Sequence, residues 1–341
     1  MSETGRGEGT ATDQVAYFLE DITYQGKSER TRDAYERVLT DFREYLRSRD
    51  LTFGEANHRD CMAYVHQLRG EVADSTVATY ASYLHRFYDY MLQVGRFDDN
   101  PMALVLEEID ESINTDPARR DISVPAMQSF VERVSHPLDR AVVVTLLKTG
   151  IRAGELCNLD MRDLYLAESF VPDTHRPRLD GRPQSLYVDS TPSAGSLYNG
   201  ERRTASNKRK RDTTVPVDEE LTEVLERWLA ARPDPVSEAD PLFVSTTNSW
   251  GERLTPDMVH HIVETHAREM GWYRAGGGPE ENVTPHYFRH FFTTHLRDRT
   301  GDRGVVKYLR GDVASDVIDT YTHDWGGRVR AVYEEHIYKI C

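Results

Sequence analysis

The tightest constraint on the fold is one stretch near the C-terminal end: Thr284-Pro285-His286-Tyr287-Phe288-Arg289-His290-Phe291-Phe292-Thr293-Thr294-His295-Leu296. Thr284 is a residue type that caps a helix, and Pro285 suits the first helical position. The helix start is thereby set to the residue. His286 and Arg289 stand three apart, which puts both on one face of the first turn. At a helix N-terminus, where the dipole favours anions, such a pair makes a ready phosphate site. A His and an Arg three apart are common by chance, so the stretch gains meaning only from what flanks it.

A chain of 341 residues is long enough for two domains, each with its own core. No apolar run approaches the roughly 20 residues of a membrane span. Met1 to Ala11 is polar and Gly-rich without an apolar signal core, so residues 1–12 are expected to form a disordered tail. Cys61, Cys157 and Cys341 are scattered and odd in number, which suggests neither a disulfide framework nor a Cys-based zinc site. A cytoplasmic location is expected. The formal charge of −15 runs against the positive balance of most nucleic-acid binders. On composition alone an acidic enzyme with a small-molecule substrate is favoured. Six of the 42 basic residues are Lys and 36 are Arg. A Lys-poor, acid-rich surface points to a salt-rich cytoplasm, where a Debye length of about 3 Å in molar salt screens long-range repulsion.

The expected fold is mainly α with a small antiparallel β-sheet. Residues 13–106 read as a helical domain. Ala34, Val38, Leu39, Phe42, Tyr45 and Leu46 recur at helical spacing after the start signal Ser28-Glu29-Arg30-Thr31. A helix fits His58 to Arg69. A longer one starts near Asp74-Ser75, with Val77, Tyr80, Leu84, Phe87 and Met91 on one stripe and Gly95 past its end. The aromatic residues of that stripe read as core rather than as base-stacking groups. Asn100-Pro101 breaks the pattern, and residues 107–124, polar and aperiodic, read as a linker.

The second domain, 125–341, opens with helices near Pro125 to Val134 and Leu138 to Thr149, the latter closed by Gly150. A turn then feeds a short helix through Arg152 and Glu155, a pair that in isolation is usually a weak surface ion pair. Ser185 to Val188 and Thr213 to Val217 read as strands. Between them lies the one dense basic cluster, Arg202 to Arg211. Helices follow at Asp218 to Ala231 and from Thr255-Pro256 to Met270. His260, His261 and His266 read as surface residues. Gly276-Gly277-Gly278 lacks the Lys-Ser/Thr of a P-loop, and no Glu follows His286 as a zinc protease pair needs. Gly327 to Ile340 is amphipathic and reads as a tail that docks on a neighbour.

Taken in order, these pieces resemble the tyrosine recombinase (phage integrase, Xer-type) family. Thr149 to Leu156 is similar to its first box, with Arg152 as the first arginine and Glu155 as its acidic partner. Pro285 to Leu296 is similar to its second box, with His286 and Arg289 as His-x-x-Arg. Val305 to His323 is similar to its tyrosine box, with Tyr321 as nucleophile. The hairpin lysine falls on Lys208, with Lys210 as the alternative. Asp312 departs from the pattern, standing where the family often has His. A carboxylate is an acceptor only when ionised, so it cannot donate to a phosphate oxygen. A longer insertion at Ala167 to Gly200 also exceeds the family's minimal hairpin.

The resemblance implies an N-terminal core-binding (SAM-like) domain, a C-terminal α+β catalytic domain and strand cleavage without metal, ATP or other cofactor. It also implies double-stranded DNA as partner, held by a homotetramer on two sites, with Arg209, Lys210 and Arg211 on the DNA. An accessory directionality factor is left open. With the composition, it suggests a halophilic archaeon or its virus as source. In the implied chemistry Tyr321 attacks phosphorus and leaves a 3′-phosphotyrosyl link. Arg152 and Arg289 bind phosphate oxygens, His286 handles the phenol proton and Lys208 protonates the leaving 5′-oxygen. A DNA-binding regulator that has lost cleavage and a type IB topoisomerase are the competing readings. Tyr321→Phe is expected to bind duplex DNA like the wild type and to form no covalent adduct, as gel analysis of denatured complexes would reveal; an adduct surviving in that variant removes Tyr321 as nucleophile.

Overall fold

The computed structural model describes residues 13–27, 29–111, 119–166, 175–312 and 325–341. The expected tail at 1–12, the start residue Ser28 and the nucleophile position Tyr321 lie outside the described residues. The chain divides into two compact units, Met1–Asp116 and Pro117–Cys341.

Among the described residues of the first unit there are five helices: α1 (Gln14–Tyr24), α2 (Glu29–Arg47), α3 (His58–Leu68), α4 (Asp74–Gln93) and α5 (Met102–Glu108). Local signals set their starts. Asp13 caps α1, and Asn57 with Asp60 forms a reciprocal capping box at α3. The apolar stripes of α2 and α4 meet in one core in which Val38, Leu39, Phe42, Val77, Leu84, Phe87 and Met91 are sealed from solvent. Phe87 is therefore core and unavailable to stack on bases. After the break at Asn100-Pro101 the helix restarts, because the Asn100 carboxamide oxygen accepts the Met102 N–H at 3.0 Å. α5 thus runs into the stretch read as linker.

The second unit contains α6 (Val124–Arg133), α7 (Pro137–Thr149), α8 (Ala153–Cys157), then strands β1 (Leu164–Tyr165), β2 (Ser185–Val188), β3 (Leu197–Tyr198), β4 (Glu201–Arg202) and β5 (Thr213–Pro216). Helices α9 (Glu219–Ala231), α10 (Pro256–Glu269), α11 (Pro285–Thr300), α12 (Arg303–Arg310) and α13 (Trp325–His336) follow. The main sheet is antiparallel in the order β1-β2-β5, with Leu186 opposite Val215 and Val188 opposite Thr213. The connection from β2 to β5 carries the β3–β4 ribbon, turned by Asn199 and Gly200, both at positive φ. α7 is buried on nearly every side and forms the axis of the core, flanked by α9 and α11.

Burying α7 all round takes its Lys148 inside. The Lys148 ammonium meets Asp218 Oδ2 at 2.7 Å, Glu220 Oε2 at 2.5 Å and the Tyr338 carbonyl at 2.6 Å. Ile340 N donates to the same Glu220 at 3.0 Å, and Tyr333 Oη donates to the Lys148 carbonyl at 2.9 Å. The C-terminal segment expected to dock on a neighbour is thus received by its own unit, with Val329, Tyr333, Tyr338 and Ile340 in the core. Another correction concerns His266, read as a surface residue: it is mostly enclosed and bonded to Asp139 at 2.9 Å. Lys148→Met leaves the buried Asp218 and the partly buried Glu220 without their cation, and a loss of about 3–5 kcal/mol is expected. Denaturant unfolding that shows no loss would rule out this lock.

Candidate active site

The organising helix forms as its sequence dictates. Thr284 Oγ1 accepts the Tyr287 N–H at 3.4 Å, Pro285 takes the first position, and Gly301 closes α11 in the left-handed region. Of the two residues on its first turn, His286 stays exposed while Arg289 is buried. Arg289 Nη1 donates to the Gly150 carbonyl at 2.7 Å, and Nη2 donates to the Arg310 carbonyl at 3.0 Å and to Asp312 Oδ1 at 3.1 Å. Burial, reinforced by the nearby charges of Arg152 and Arg310, pushes the Arg289 guanidinium down to about 9. It still carries its charge at neutral pH.

Gly150 makes this approach available. It ends α7 at φ 63°, and a Cβ there would lie 2.3 Å from Phe292 of α11. Only glycine permits both the turn and the contact. Two residues on, Arg152 takes the N-cap position of α8, and Glu155 Oε2 accepts its backbone N–H at 3.0 Å. Far from being a surface pair, Glu155 is fully buried. It accepts Arg152 Nη1 at 2.9 Å and Arg209 Nη2 at 3.1 Å. Burial favours its neutral form, but Arg209, the Arg152 N–H and the Arg152 guanidinium outweigh burial and hold it below the usual carboxylate range.

Asp312 completes the cluster. Its Oδ1 accepts Arg152 Nη2 at 3.4 Å as well as Arg289, and its Oδ2 lies 2.9 Å from Arg310 Nε. Three guanidinium groups therefore surround one partly exposed carboxylate. His286 sits beside them with its pKa lowered, by loss of surrounding water first and then by the charges of Arg119, Arg289, Arg152 and Arg310. The shift favours the neutral imidazole, the form that can accept a proton.

The basic cluster divides by role. Arg203 is sealed in the core on Asp160, whose carboxylate also holds Arg253 at 2.7 Å. Arg209 corrects the expectation of a DNA contact. Its side chain is fully buried and bonds Glu155, Thr213 and, at 3.2 Å, the Leu309 carbonyl. Gly311 allows this close approach, since at φ 69° its added Cβ would lie 2.4 Å from Arg209 Cγ. Lys208 and Lys210 are exposed, Lys210 N donates to the Gly311 carbonyl at 3.2 Å, and Arg211 stacks on Tyr308 at 4.9 Å. The loop bearing both lysines is thus tied to the end of α12. Sequence reasoning missed Arg310, although it adjoins Asp312, and it missed Arg119, which lay hidden in the stretch read as linker.

The sequence model of the phage integrase family matches residues 193–325, and that of the phage integrase N-terminal SAM-like domain matches residues 15–95. The chain belongs to the tyrosine recombinase, or phage integrase, family. Among relatives of this recombinase, tyrosine recombinase XerD of Shewanella oneidensis is 26% identical over 329 residues and spans 94% of each chain. XerD of Listeria innocua is 28% identical over 338 residues, covering 95% of this chain and 97% of that protein. Solved structures share the fold. The Tn1549 transposon integrase in complex with a circular intermediate DNA has a TM-score of 0.65 at 18% identity, over 94% of this chain and 98% of that one. A lambda integrase dimer bound to a COC′ core site has a TM-score of 0.63 at 15% identity, over 91% and 96%. The recombinase is mainly helical with small antiparallel sheets, with a SAM-like N-terminal domain and a C-terminal catalytic domain.

In this recombinase the buried Arg209 is a support rather than a DNA contact. Arg209→Met strands Glu155 with one cation fewer, and a stability loss of about 3–5 kcal/mol is expected in denaturant unfolding. The salt dependence of DNA binding is expected to stay as in the wild type, whereas a shallower dependence would return Arg209 to the DNA surface.

Proposed function

We propose that this chain is a site-specific DNA recombinase that cleaves and rejoins DNA through a 3′-phosphotyrosyl intermediate at Tyr321, as a cytoplasmic homotetramer on two DNA sites. The observation that carries the reading is the meeting of Arg152 and Arg289 on a single oxygen, Asp312 Oδ1, at 3.4 and 3.1 Å. A non-bridging phosphate oxygen has the same charge and the same acceptor chemistry as that carboxylate oxygen. Two guanidinium groups already directed at one anionic oxygen suit a transition state in which charge grows on phosphate. Family membership supports the same chemistry, and the Tn1549 transposon integrase, solved with a circular intermediate DNA, supports DNA as the substrate.

The roles follow from the environments. The neutral imidazole of His286 accepts or positions the proton of the Tyr321 phenol, whose ordinary pKa is about 10. Glu155 orients Arg152 by binding both its backbone N–H and its Nη1. Lys208 or Lys210, on the loop joined to Gly311, protonates the departing 5′-oxygen. The phosphotyrosyl bond stores the energy of the broken phosphodiester, so rejoining draws on no ATP, and the guanidinium pair serves the phosphate in place of a metal. Asp312 competes with the DNA phosphate for the two arginines. The regulator reading draws its support from that same competition.

The test maps covalent adducts in a high-salt host for the wild type and Tyr321→Phe, with non-covalent footprints recorded alongside. Adducts at a few discrete sites, joined through a 3′-phosphate and absent in the variant, are expected. Footprints without adducts would favour a regulator, and relaxation at many sites would favour a type IB topoisomerase. Asp312→His removes the competing carboxylate and adds a donor, so adduct yield at the mapped sites is expected not to fall. A collapse in that variant would give Asp312 a positive catalytic role.

A further inference from the structure

The segment entering the catalytic unit is anchored along α11. Tyr287 Oη donates to the Arg120 carbonyl at 2.7 Å, the His295 ring lies 3.3 Å from the Ile122 carbonyl, and Ile122 is buried in the core. These contacts deliver Arg119 to the first turns of the helix, where its Nη1 lies 3.4 Å from His290 Nδ1. Arg119 also lines a pocket of about 310 Å³ together with His260, Asn282, Thr284 and His286. That size is at the low end for ligand sites and suits a small polar group.

Two features of this pocket give its chemistry. Its lining holds no carboxylate, in a chain with 57 acidic residues, and three of its side chains are Arg or His. Among the described residues no carboxylate lies within ion-pair distance of Arg119, unlike Arg152, Arg289 and Arg310, which share Asp312. A partly exposed guanidinium with no counter-ion among the described residues, beside a cleft rich in donors, is a site for an anion.

We propose that Arg119 binds a second backbone phosphate of the DNA, next to the one served by Arg152 and Arg289, in the pocket it shares with His286. The proposal rests on the recombinase reading and adds a residue to it. Successive phosphates of one strand would then be gripped on either side of His286. The strand is held in register at the point where the imidazole acts. Arg119 also helps to keep that imidazole neutral, alongside Arg289, Arg152 and Arg310, the other charged groups that face it.

The experiment measures binding of the full chain to a random-sequence 30-base-pair duplex across a salt series. Each phosphate contact contributes about 0.9 to the slope of log affinity against log salt. Arg119→Gln is expected to lower the slope by about that amount, while Arg119→Lys retains it. Thermal unfolding of each variant confirms that it folds. An unchanged slope in Arg119→Gln overturns the proposal while leaving the recombinase reading standing. Absence of duplex binding by the wild type overturns the reading itself, and the proposal falls with it. A second readout follows the His286 ring by NMR titration, where Arg119→Gln is expected to raise its pKa toward the ordinary value. A ring that titrates as in the wild type overturns the shared pocket.

Discussion

The catalytic unit depends on one buried carboxylate. Glu155 is sealed from water, and an isolated charge there would cost several kcal/mol. It is held by the Arg152 N–H, the Arg152 guanidinium and the Arg209 guanidinium. Each of these partners reaches onward. Arg209 extends to the Leu309 carbonyl at the end of α12, and Arg152 extends to Asp312 just beyond it. The short helix α8, the basic loop and α12 are thus brought together by opposite charges sharing a low-dielectric interior. The guanidinium groups of Arg152 and Arg289 that meet at Asp312 are thus held in place by the protein itself.

The same logic explains the unit's preference for arginine over lysine. Asp160 receives Arg203 and Arg253, and Arg253 also serves the Cys157 and Leu159 carbonyls at 2.9 and 3.1 Å. A planar fork of five donors can satisfy a carboxylate and two carbonyls at once, while an ammonium cannot hold that geometry. The scarcity of lysine therefore has a structural component in the interior. Only the exposed positions bear on the salt of the surroundings. Where an ammonium is used inside, at Lys148, its three acceptors lie within reach of a single compact nitrogen.

What was legible in the sequence was local. Thr284, Thr255 and Asp218 mark helix starts because a cap acts within three residues, and α11, α10 and α9 begin where those caps stand. The alternation at Ser185 to Val188 and the β-rich run Thr213 to Val217 likewise correspond to the paired strands β2 and β5. The Asn199-Gly200 turn was also written locally, as a strong hairpin dipeptide between two short β-prone pairs, and went unread. What was not legible came from long-range packing. Nothing in Arg202 to Arg211 distinguishes the buried Arg203 and Arg209 from the exposed Lys208 and Lys210; burial is decided by Asp160 and Glu155, far away in sequence. The polar segment containing Arg119 was equally opaque, since its order comes from backbone carbonyls that accept from side chains of α11. A polar composition describes what a segment can expose, not what holds it.

Gly150 links the two arginines in a mechanical sense. Its carbonyl is clasped by Arg289, and its left-handed turn aims the next residues so that Arg152 takes the N-cap position of α8. The peptide that Arg289 of α11 grips at 2.7 Å therefore lies only two residues before Arg152. The two guanidinium groups thus share one support at the end of α7 rather than standing on independent ones.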